Sequence, residues 1–416
     1  MPKHLREFNK NSLMSTGNER QNRIMKYETT HPWIRFGKML PVSSRFSPVW
    51  YLLGQIESKI RHLGASAVSP EVHRRMNLVY LAKGVQATTA IEGNTLTDEE
   101  VSGILEGRLD MPKSKQYQQQ EVQNIVQAFN AIVQDVCRTE TEARLTPEYI
   151  CNLNAMVLDK LELRDGIVPG EVRRFSVVVG NAYRGAPTEE CPALLRMLCE
   201  WLASDTFAAP EGMETSMALI KAVVAHIYLA WIHPFGDGNG RTARLVELFI
   251  LLSARVPVPA AHLLSNHYNK TRDKYYEGLA ALSRLEDGQA PPLDSFLEYA
   301  FQGMVDGLQE QLESIQRYQM EVTWQSLVYE SFKTSVTKRE RRMRELLLSL
   351  GFGTTAIASY NDIAPKLFYD HYRGKQFRTL TRDLADLMDM GLLVRTPQGY
   401  RPKLEILYKM LPMKAG

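Results

Sequence analysis

The chain has 416 residues, of which 44% are hydrophobic and 23% are charged, and its formal net charge is +3. At roughly 150 residues per domain, this length predicts two or three domains with a sizeable core. The composition excludes disorder throughout, a collagen-like chain and a coiled-coil rod. The small net charge argues against a strongly basic nucleic-acid coat and against an acidic tail protein.

The first segment, residues 1–47, is polar and shows little periodicity, so we interpret it as an arm that packs onto the body. It lacks the apolar core of a signal peptide, and we expect a cytoplasmic protein. Over residues 48–290, apolar residues recur at helical spacing and predict a helical domain. The Gln-rich run 118–123 lies within this pattern and is interpreted as a solvated helix face.

Strongly apolar segments predict three helices in the second half of this domain, at 192–202, 217–232 and 241–252. The segment 217–232 is too short to span a bilayer, so we interpret it as a buried helix. One β signal interrupts the helices, because residues 175–181 (FSVVVGN) are rich in β-branched residues and are followed by turn residues. We predict a β-hairpin there.

The four cysteines, Cys137, Cys151, Cys191 and Cys199, form no C-x-x-C pair. Their spacing supports neither a disulfide framework nor a structural zinc site. We therefore expect buried free thiols in a reducing compartment.

The last part of the chain differs in charge. Apolar positions over 291–332 predict a long helix that connects two domains. Residues 333–416 then carry 16 Lys and Arg against 8 acidic residues, a net charge of +8, whereas the rest of the chain has a net charge of −5. The total of +3 therefore averages over a slightly acidic body and a basic tail.

The basic tail is predicted to contain three helices and a terminal hairpin, over 338–350, 361–368, 376–390 and 392–402. This order resembles a winged helix. The residues at the position of a recognition helix are Arg378, Thr379, Thr381 and Arg382. Appended winged helices also mediate protein contacts, so DNA and a protein both stay open as partners.

The most informative segment is the loop 233–244, HPFGDGNGRTAR, between two apolar helices. Three glycines in five residues allow successive backbone N–H groups to converge on an anion at the positive start of the next helix. Arg241 and Arg244 lie three residues apart and can reach the same anion. Asp237 supplies a hard oxygen ligand for Mg²⁺, and His233 can accept a proton near neutral pH. These groups indicate phosphoryl or nucleotidyl transfer, the alternative being a helix-capping loop with exposed arginines.

The loop matches every fixed position of H-x-F-x-[DE]-G-N-G-R-x-x-R, and over about residues 50–290 the chain resembles the Fic-domain proteins. The resemblance implies Mg²⁺-dependent transfer of AMP from ATP to a Ser, Thr or Tyr hydroxyl of a protein. By the same resemblance His233 is the general base and Asp237 the metal ligand. The residues implied around the nucleotide are Gly238, Asn239, Gly240, Arg241 and Thr242, with Arg244 at the γ-phosphate.

Two further segments fit this resemblance. Four residues resemble the family's flap, an edge strand that pairs with the backbone of the target protein: Val177, Val178, Val179 and Gly180. A small structural hairpin is the alternative interpretation. Three residues resemble the region that encloses adenosine: Tyr275, Tyr276 and Ser283. An aromatic pair of this kind is equally typical of plain core.

Residues 88–94, TTAIEGN, match the family's inhibitory motif [ST]-x-x-x-E-[GN]. In that family the glutamate, here Glu92, pairs with the second arginine of the loop, here Arg244, so that ATP binds only in an unproductive pose. An Arg–Glu pair does compete directly with an Arg–phosphate contact. The simpler interpretation is a helix C-terminus that ends at Gly93 with a solvated Glu92.

We therefore predict an all-α fold: a Fic-type helical bundle with a small β-hairpin flap over 48–290, and a winged-helix-like domain over 333–416. The predicted activity is that of a protein adenylyltransferase autoinhibited by Glu92. The alternatives are hydrolytic removal of AMP, another nucleotide or phosphocompound as donor, and a nucleotide-sensing transcription regulator. The expected partners are ATP, Mg²⁺ and a target protein at the flap, with no membrane, and a homo-oligomer stays open.

Overall fold

The computed structural model describes residues 25–37, 47–66, 68–138, 144–179, 183–285, 293–332, 337–350 and 357–408. The described part of the chain is mostly helical, as predicted, and it divides into two units. The first unit comprises residues 1–65 and 69–308, and the second comprises residues 66–68 and 309–416.

The first unit is a helical bundle. Its helices are α1 (Lys26–Thr30), α2 (Pro48–Ala65), α3 (Pro70–Ala90), α4 (Asp98–Leu105), α5 (Gln116–Arg138), α6 (Pro147–Val157), α7 (Cys191–Leu202), α8 (Glu214–Ile232), α9 (Asn239–Ser253), α10 (Val258–Ala261), α11 (Leu263–Lys270), α12 (Arg272–Ala281) and the first part of α13 (Asp294–Ser331). The helices predicted at 192–202, 217–232 and 241–252 are confirmed as α7, α8 and α9, with small shifts at their ends.

The pair α8 and α9 forms the centre of this bundle. Within residues 216–232 of α8, only Lys221 and Ala230 are not fully buried. A helix that is apolar on all sides must be covered on all sides, and α2, α7 and α9 pack around α8. Helices α5 and α6 flank α9, which places both beside the loop that joins α8 to α9.

Among the described residues, one helix is long and apolar enough to cross a membrane by length and composition, and it is α8. It has 19 residues, its most apolar window has a mean hydropathy of 1.5, and 83% of that window is buried inside the protein. The prediction that this segment is too short to span a bilayer is wrong, because the helix is longer than predicted and starts at Glu214 rather than at residue 217. The predicted burial is confirmed.

The segment between α3 and α4 is a short turn between two well-defined helix ends. Helix α3 ends at Ala90, and Gly93, with φ of 104°, takes a left-handed conformation that favours glycine. Helix α4 begins with a capping box, in which Thr97 and Glu100 exchange side chain and backbone hydrogen bonds. Glu92 is therefore carried by a turn and not by a helix.

The predicted hairpin is present, with strands of two residues each. Strand β1 (Val178–Val179) pairs antiparallel with β2 (Tyr183–Arg184). A separate bridge between Val172 and Phe235 joins the start of this segment to the loop after α8. Residues 25–37 of the predicted N-terminal arm lie on the same unit, where the indole of Trp201 donates to the carbonyl of Gly37 over 2.6 Å.

The second unit contains the end of α13 and a small helical fold with a hairpin. Its further elements are α14 (Lys338–Leu350), α15 (Pro365–Leu367), a π-helical turn (Phe368–Tyr372), α16 (Phe377–Asp389), β3 (Leu393–Thr396), β4 (Gly399–Pro402) and α17 (Glu405–Tyr408). The helices predicted at 338–350 and 376–390 and the terminal hairpin are confirmed. The helix predicted at 361–368 is wrong in position, because Pro365 occupies the first helical turn and the chain continues as a π turn to Tyr372.

A buried charge pair joins three elements of the second unit. The carboxylate of Asp383 in α16 accepts hydrogen bonds from Nε and Nη2 of Arg342 in α14, at 2.6 and 2.8 Å. It also accepts a hydrogen bond from the hydroxyl of Tyr372 in the π turn, at 3.1 Å. Because each buried polar group here has a partner, the pair fixes how α14 and α16 pack.

All four cysteines are free. Cys191 and Cys199 are buried, and burial raises the pKa of their thiols to about 11 and about 12. Cys151 is partly buried, and Cys137 is exposed. The prediction of buried free thiols is thus confirmed for two cysteines and wrong for Cys137.

Candidate active site

The loop begins at His233, the residue that ends α8. His233 adopts a left-handed backbone conformation, with φ of 48° and ψ of 58°, which is uncommon for a residue with a side chain. Such a conformation costs on the order of 1–3 kcal/mol and persists only where the surroundings hold it. Its carbonyl accepts a hydrogen bond from Nε of Arg173 at 2.7 Å, which is one such restraint.

The buried guanidinium of Arg173 joins the loop to the hairpin. Besides His233, it donates to the carbonyls of Phe175 at 2.7 Å and Ala186 at 2.6 Å, and to the hydroxyl of Thr188 at 2.6 Å. One side chain therefore fixes the base of the loop and both ends of the hairpin segment. No sequence pattern pointed to Arg173, because its partners are mostly backbone carbonyls.

The imidazole of His233 is neutral at physiological pH. Burial lowers its pKa to about 4, although the carbonyl of Ala230 partly offsets this effect. Nδ1 lies 3.3 Å from that carbonyl oxygen, which can only accept, so Nδ1 carries the proton. Nε2 then has its lone pair available, as a general base requires.

The loop closes on itself through Asn239. Its side chain oxygen accepts from the backbone N–H of Phe235 at 2.9 Å, and its amide donates to the carbonyl of Phe235 at 2.8 Å. Gly238, with φ of 74°, stands at the N-cap of α9. The predicted nucleotide-binding residue Asn239 thus shapes the loop with both ends of its side chain.

A second side chain that sequence patterns did not reveal, Asn154 of α6, holds the other side of the loop. Its buried amide donates to the carbonyl of Asp237 at 3.0 Å and to the hydroxyl of Thr242 at 3.2 Å. Its oxygen accepts from the backbone N–H of Gly170 at 3.0 Å. Thr242 is itself buried, so the structure places it on the side of α9 that faces α6.

Arg244 and Glu92 form the ion pair that the inhibitory motif predicts. Nη2 of the buried Arg244 lies 2.6 Å from Oε1 of Glu92 and also donates to the carbonyl of Thr88 at 3.0 Å. Burial would raise the pKa of Glu92, but Arg244 more than offsets this, so the pKa lies below its ordinary value. Gly240 is needed for this approach, because a Cβ there would collide with Oε1 of Glu92.

Arg244 has further hydrogen-bond donors that Glu92 and Thr88 do not use. Its Nε and Nη1 are buried and have no hydrogen-bond partner among the described residues. Buried donors without partners are costly, and an anion would satisfy them. The guanidinium is therefore suited to a phosphate as well as to Glu92.

A second carboxylate from outside the loop binds Arg241. Its Nη1 lies 2.6 Å from Oε1 of the buried Glu121 in α5, and its Nη2 lies 3.2 Å from Oδ1 of Asp237. Burial raises the pKa of Glu121, and Arg241 only partly offsets this. The predicted solvated face over 118–123 is wrong at Glu121, because α5 turns this residue toward α9.

Asp237 is the accessible carboxylate of the loop, since its side chain is 43% exposed. No group of three or more His, Cys, Asp or Glu that could hold a metal occurs among the described residues. Mg²⁺ commonly takes one or two protein carboxylates and fills its shell with substrate phosphates and water. A single exposed carboxylate beside two arginines fits that mode and does not fit a metal site built from protein ligands alone.

The three residues predicted near adenosine lie in different surroundings. Tyr275 is buried, and its hydroxyl lies 2.8 Å from Nε2 of the buried His226. Ser283 is also buried and donates to the carbonyl of Ala280 at 2.9 Å. Tyr276 alone of these three is open to solvent, with 43% exposure, and its hydroxyl donates to the carbonyl of Ile91 at 3.2 Å.

The hydrogen bonds of Arg173 hold the segment that contains the predicted flap residues beside this loop. Val177 is partly buried and Val178 is 62% exposed, so β1 presents an open side chain to solvent. Val179 is the second residue of β1. Gly180 lies outside the described residues, and the structure says nothing of it.

The site thus combines a neutral imidazole, an accessible carboxylate and two buried arginines at the start of a helix. A neutral base and convergent cations are the groups that transfer a phosphoryl-type group to a hydroxyl.

Residues 144–251 match the model of the Fic/DOC family. The chain is 28% identical over 224 residues to the protein adenylyltransferase fic-1 of Caenorhabditis briggsae, an alignment covering 54% of this chain and 40% of that protein. It is 29% identical over 230 residues to the protein adenylyltransferase Fic of Drosophila melanogaster, covering 55% and 42%. The alignments therefore span about two-fifths of the length of these relatives.

Solved structures share the fold. A Fic family protein from Desulfovibrio desulfuricans G20 superposes with a TM-score of 0.51 at 21% identity, over 87% of this chain and 98% of that one. Fic-1 from C. elegans (residues 134–508) gives a TM-score of 0.50 at 22% identity, over 64% of this chain and 73% of that one. Residues 144–251 thus match the Fic/DOC family, and about half of the chain is distantly related to the Fic protein adenylyltransferases.

Proposed function

We propose that this protein transfers AMP from ATP to a Ser, Thr or Tyr hydroxyl of a target protein, and that the Glu92–Arg244 pair keeps this activity low. The observation that carries the proposal is the loop from His233 to Arg244. It combines a base with its lone pair free and a buried arginine whose two unsatisfied donors suit a phosphate. The distant relatives named as protein adenylyltransferases support the same reaction.

In the proposed step, the target hydroxyl oxygen attacks the α-phosphorus of ATP. A bond forms between these two atoms, the bond from the α-phosphorus to the bridging oxygen breaks, and pyrophosphate leaves. Nε2 of His233 takes the hydroxyl proton, which its lowered pKa allows at pH 7. The backbone at Gly238 and Gly240, together with Arg241, would hold the α- and β-phosphates at the start of α9.

Asp237 would hold the magnesium ion that accompanies ATP. When bound, this ion neutralises charge on the phosphates. The contact between Asp237 and Arg241 keeps the carboxylate at the same end of the site as the phosphate-binding guanidinium.

The proposed inhibition follows from competition for one guanidinium. Nη2 of Arg244 cannot bind Glu92 at 2.6 Å and a γ-phosphate in the same place at once. While Glu92 is paired, ATP lacks a contact that would hold its γ-phosphate, and its α-phosphate is not aligned with the base. Release of Glu92 would restore that contact.

The hairpin is the proposed docking place for the target protein. An extended segment of the target would pair with β1 and bring its hydroxyl to His233. The exposed side chain of Val178 and the bonds from Arg173 to both ends of the hairpin support this role.

The test is the identity of the transferred group. Glu92→Gly protein is incubated with Mg²⁺ and ATP in a lysate, and modified peptides are read by mass spectrometry. We expect added AMP on hydroxyl side chains, and we expect none with the Glu92→Gly/His233→Ala double variant. Another added mass would identify a different donor, and bound nucleotide without any labelled protein would favour the nucleotide-sensing regulator.

Removal of AMP is the alternative for which Glu92 would itself be needed, to position a water. It is tested with a target already carrying AMP. Release by the wild-type protein and not by Glu92→Gly would make net removal the function and would overturn the assignment of Glu92 as an inhibitor alone.

For the second unit we propose binding to DNA. Arg378 and Arg382 lie one turn apart on the exposed side of α16, and neither has an ion-pair partner among the described residues. Thr381 is exposed between them, Thr379 is partly buried, and exposed Phe377 begins the helix. Unpaired arginines on one helix face suit phosphates.

The full chain is titrated against a fluorescent DNA duplex by anisotropy over a series of salt concentrations. We expect Arg378→Ala/Arg382→Ala to weaken binding and to reduce the salt slope by about 0.9 per lost phosphate contact. Arg164→Ala/Arg196→Ala, which removes two exposed arginines of the first unit, is the matched control. No binding even at low salt would reject DNA and leave a protein partner.

A further inference from the structure

The backbone at Glu92 is anchored through neighbouring residues, in addition to the ion pair that its side chain makes with Arg244. That side chain is 31% exposed, and its residue lies in the turn between α3 and α4. Within the turn, backbone N–H groups of residues 92, 93 and 94 donate back to carbonyls of α3, at 3.1, 2.9 and 3.2 Å. These local bonds form the turn, but they do not attach it to the helices that carry the arginines.

On one side the turn is attached through Asn94. This side chain is buried, and its amide donates to the carbonyl of Gln118 and to Oε2 of Glu121, both at 3.0 Å. Its oxygen accepts from the N–H of Leu96 at 3.0 Å. Because Glu121 also binds Arg241, Asn94 connects the turn to the network around the first arginine of the loop.

On the other side the turn is attached through Tyr276 of α12. Its hydroxyl donates to the carbonyl of Ile91, the C-cap residue of α3, at 3.2 Å. Carbonyls at the end of a helix lack a partner within the helix, and this hydroxyl supplies one. The ring of Tyr276 lies 5.0 Å from that of Tyr275, whose hydroxyl contacts buried His226, so α12 is itself fixed.

We infer that Tyr276 and Asn94 are positioning residues for inhibition: they hold the turn 92–94 from two sides and so keep Glu92 paired with Arg244. The inference rests on the proposed function, in which that pair is the inhibitory state. It gives Tyr276 a role through its hydroxyl, which differs from a contact of its ring with adenosine.

The expected change in the rate of AMP transfer follows from the hydrogen bonds that each substitution removes. Glu92 exchanges between a paired and a released state, and only the released state transfers AMP. Removing one neutral hydrogen bond from the paired state shifts such an equilibrium by roughly two- to tenfold. Asn94→Ala removes a bond to the charged Glu121 as well, so its shift is expected at the upper end of that range or above it.

The decisive experiment measures initial rates of AMP transfer for Tyr276→Phe and Asn94→Ala, each in the wild-type and in the Glu92→Gly background. In the wild-type background we expect the rate to rise two- to tenfold with Tyr276→Phe. In the Glu92→Gly background the inhibitory contact is already absent, so we expect no further rise. Tyr51→Phe, which removes the same atom from an exposed tyrosine of α2, is the matched control.

The outcomes separate the possible roles of Tyr276. A purely structural role lowers the rate in both backgrounds, and a required contact of the hydroxyl with the nucleotide raises the KM for ATP in both. Either result overturns the inference, as does a rise of equal size in both backgrounds.

Amide hydrogen exchange gives a readout that does not depend on activity. In Tyr276→Phe and Asn94→Ala, peptides that cover residues 88–96 should exchange faster than in the wild type, while Tyr51→Phe leaves them unchanged. Unchanged exchange in both variants would refute the inference. If Glu92→Gly itself transfers no AMP, the proposed function fails; if it does and Tyr276→Phe matches the wild type, only the inference fails.

Discussion

The substitution Glu92→Gly addresses the proposed inhibition most directly. It removes the carboxylate that lies 2.6 Å from Nη2 of Arg244. A hydrogen bond between charged groups contributes about 1.5–3 kcal/mol. Because the carboxylate is 31% exposed, solvent screens part of the interaction, so we do not expect values beyond this range. This free energy corresponds to a roughly tenfold to hundredfold change in an equilibrium constant.

The assay is the initial rate of AMP incorporation from α-labelled ATP at fixed Mg²⁺, with the KM for ATP measured in parallel. We expect Glu92→Gly to raise kcat/KM by roughly ten- to a hundredfold. Glu92→Gln keeps the shape of the side chain and loses its charge, so its rate should fall between those of the wild type and the glycine variant. Glu99→Gln, at an exposed position of α4, is the matched control and should behave as the wild type.

Two results would refute this reasoning. Equal rates for Glu92→Gly and the wild type would show that the ion pair does not limit transfer. A rate of Glu92→Gly that stays equally high when Arg244→Ala is added would show that the gain does not pass through the freed guanidinium.

Three further predictions concern the base, the loop and the second unit. Because burial lowers the pKa of His233 to about 4, the base is unprotonated above that pH. The kcat/KM of Glu92→Gly should therefore stay constant from pH 8 to pH 6. An apparent pKa near 6.5 in this pH profile would contradict the prediction. Arg173→Lys replaces the guanidinium that binds the loop and the hairpin, so the free energy of unfolding, measured by urea denaturation, should fall by about 2–4 kcal/mol. Arg174→Lys, at the exposed neighbouring position, is the control. An equal change in both variants would reject the special role of Arg173. Asp383→Ala leaves the buried Arg342 without its carboxylate partner and should lower the free energy of unfolding of the second unit by about 3–5 kcal/mol. Unfolding of the full chain is followed by circular dichroism. A change under 1 kcal/mol would mean that the pair is not a structural restraint.

The sequence by itself determined the features that depend on neighbours in the chain. Apolar periodicity located α7, α8 and α9, because burial of one helix face or of the whole helix leaves a repeating pattern. The chemistry of the loop 233–244 could be predicted for the same reason, because its functional side chains are close together in the sequence, in one turn and the start of the next helix. The partner of Arg244 was predicted only through a resemblance to a known family, because Glu92 is distant in the sequence.

Only the tertiary structure decided which distant side chains hold the site. Arg173, Asn154 and Glu121 act on the loop from other segments, and their partners are backbone carbonyls or single charges that leave no spacing pattern. Glu121 even lies in a Gln-rich run that predicts solvent exposure. The hydroxyl of Tyr276 reaches the carbonyl of Ile91 only because the fold brings α12 close to the end of α3. Contacts of this kind depend on how helices pack, and local sequence carries little information about packing between distant segments.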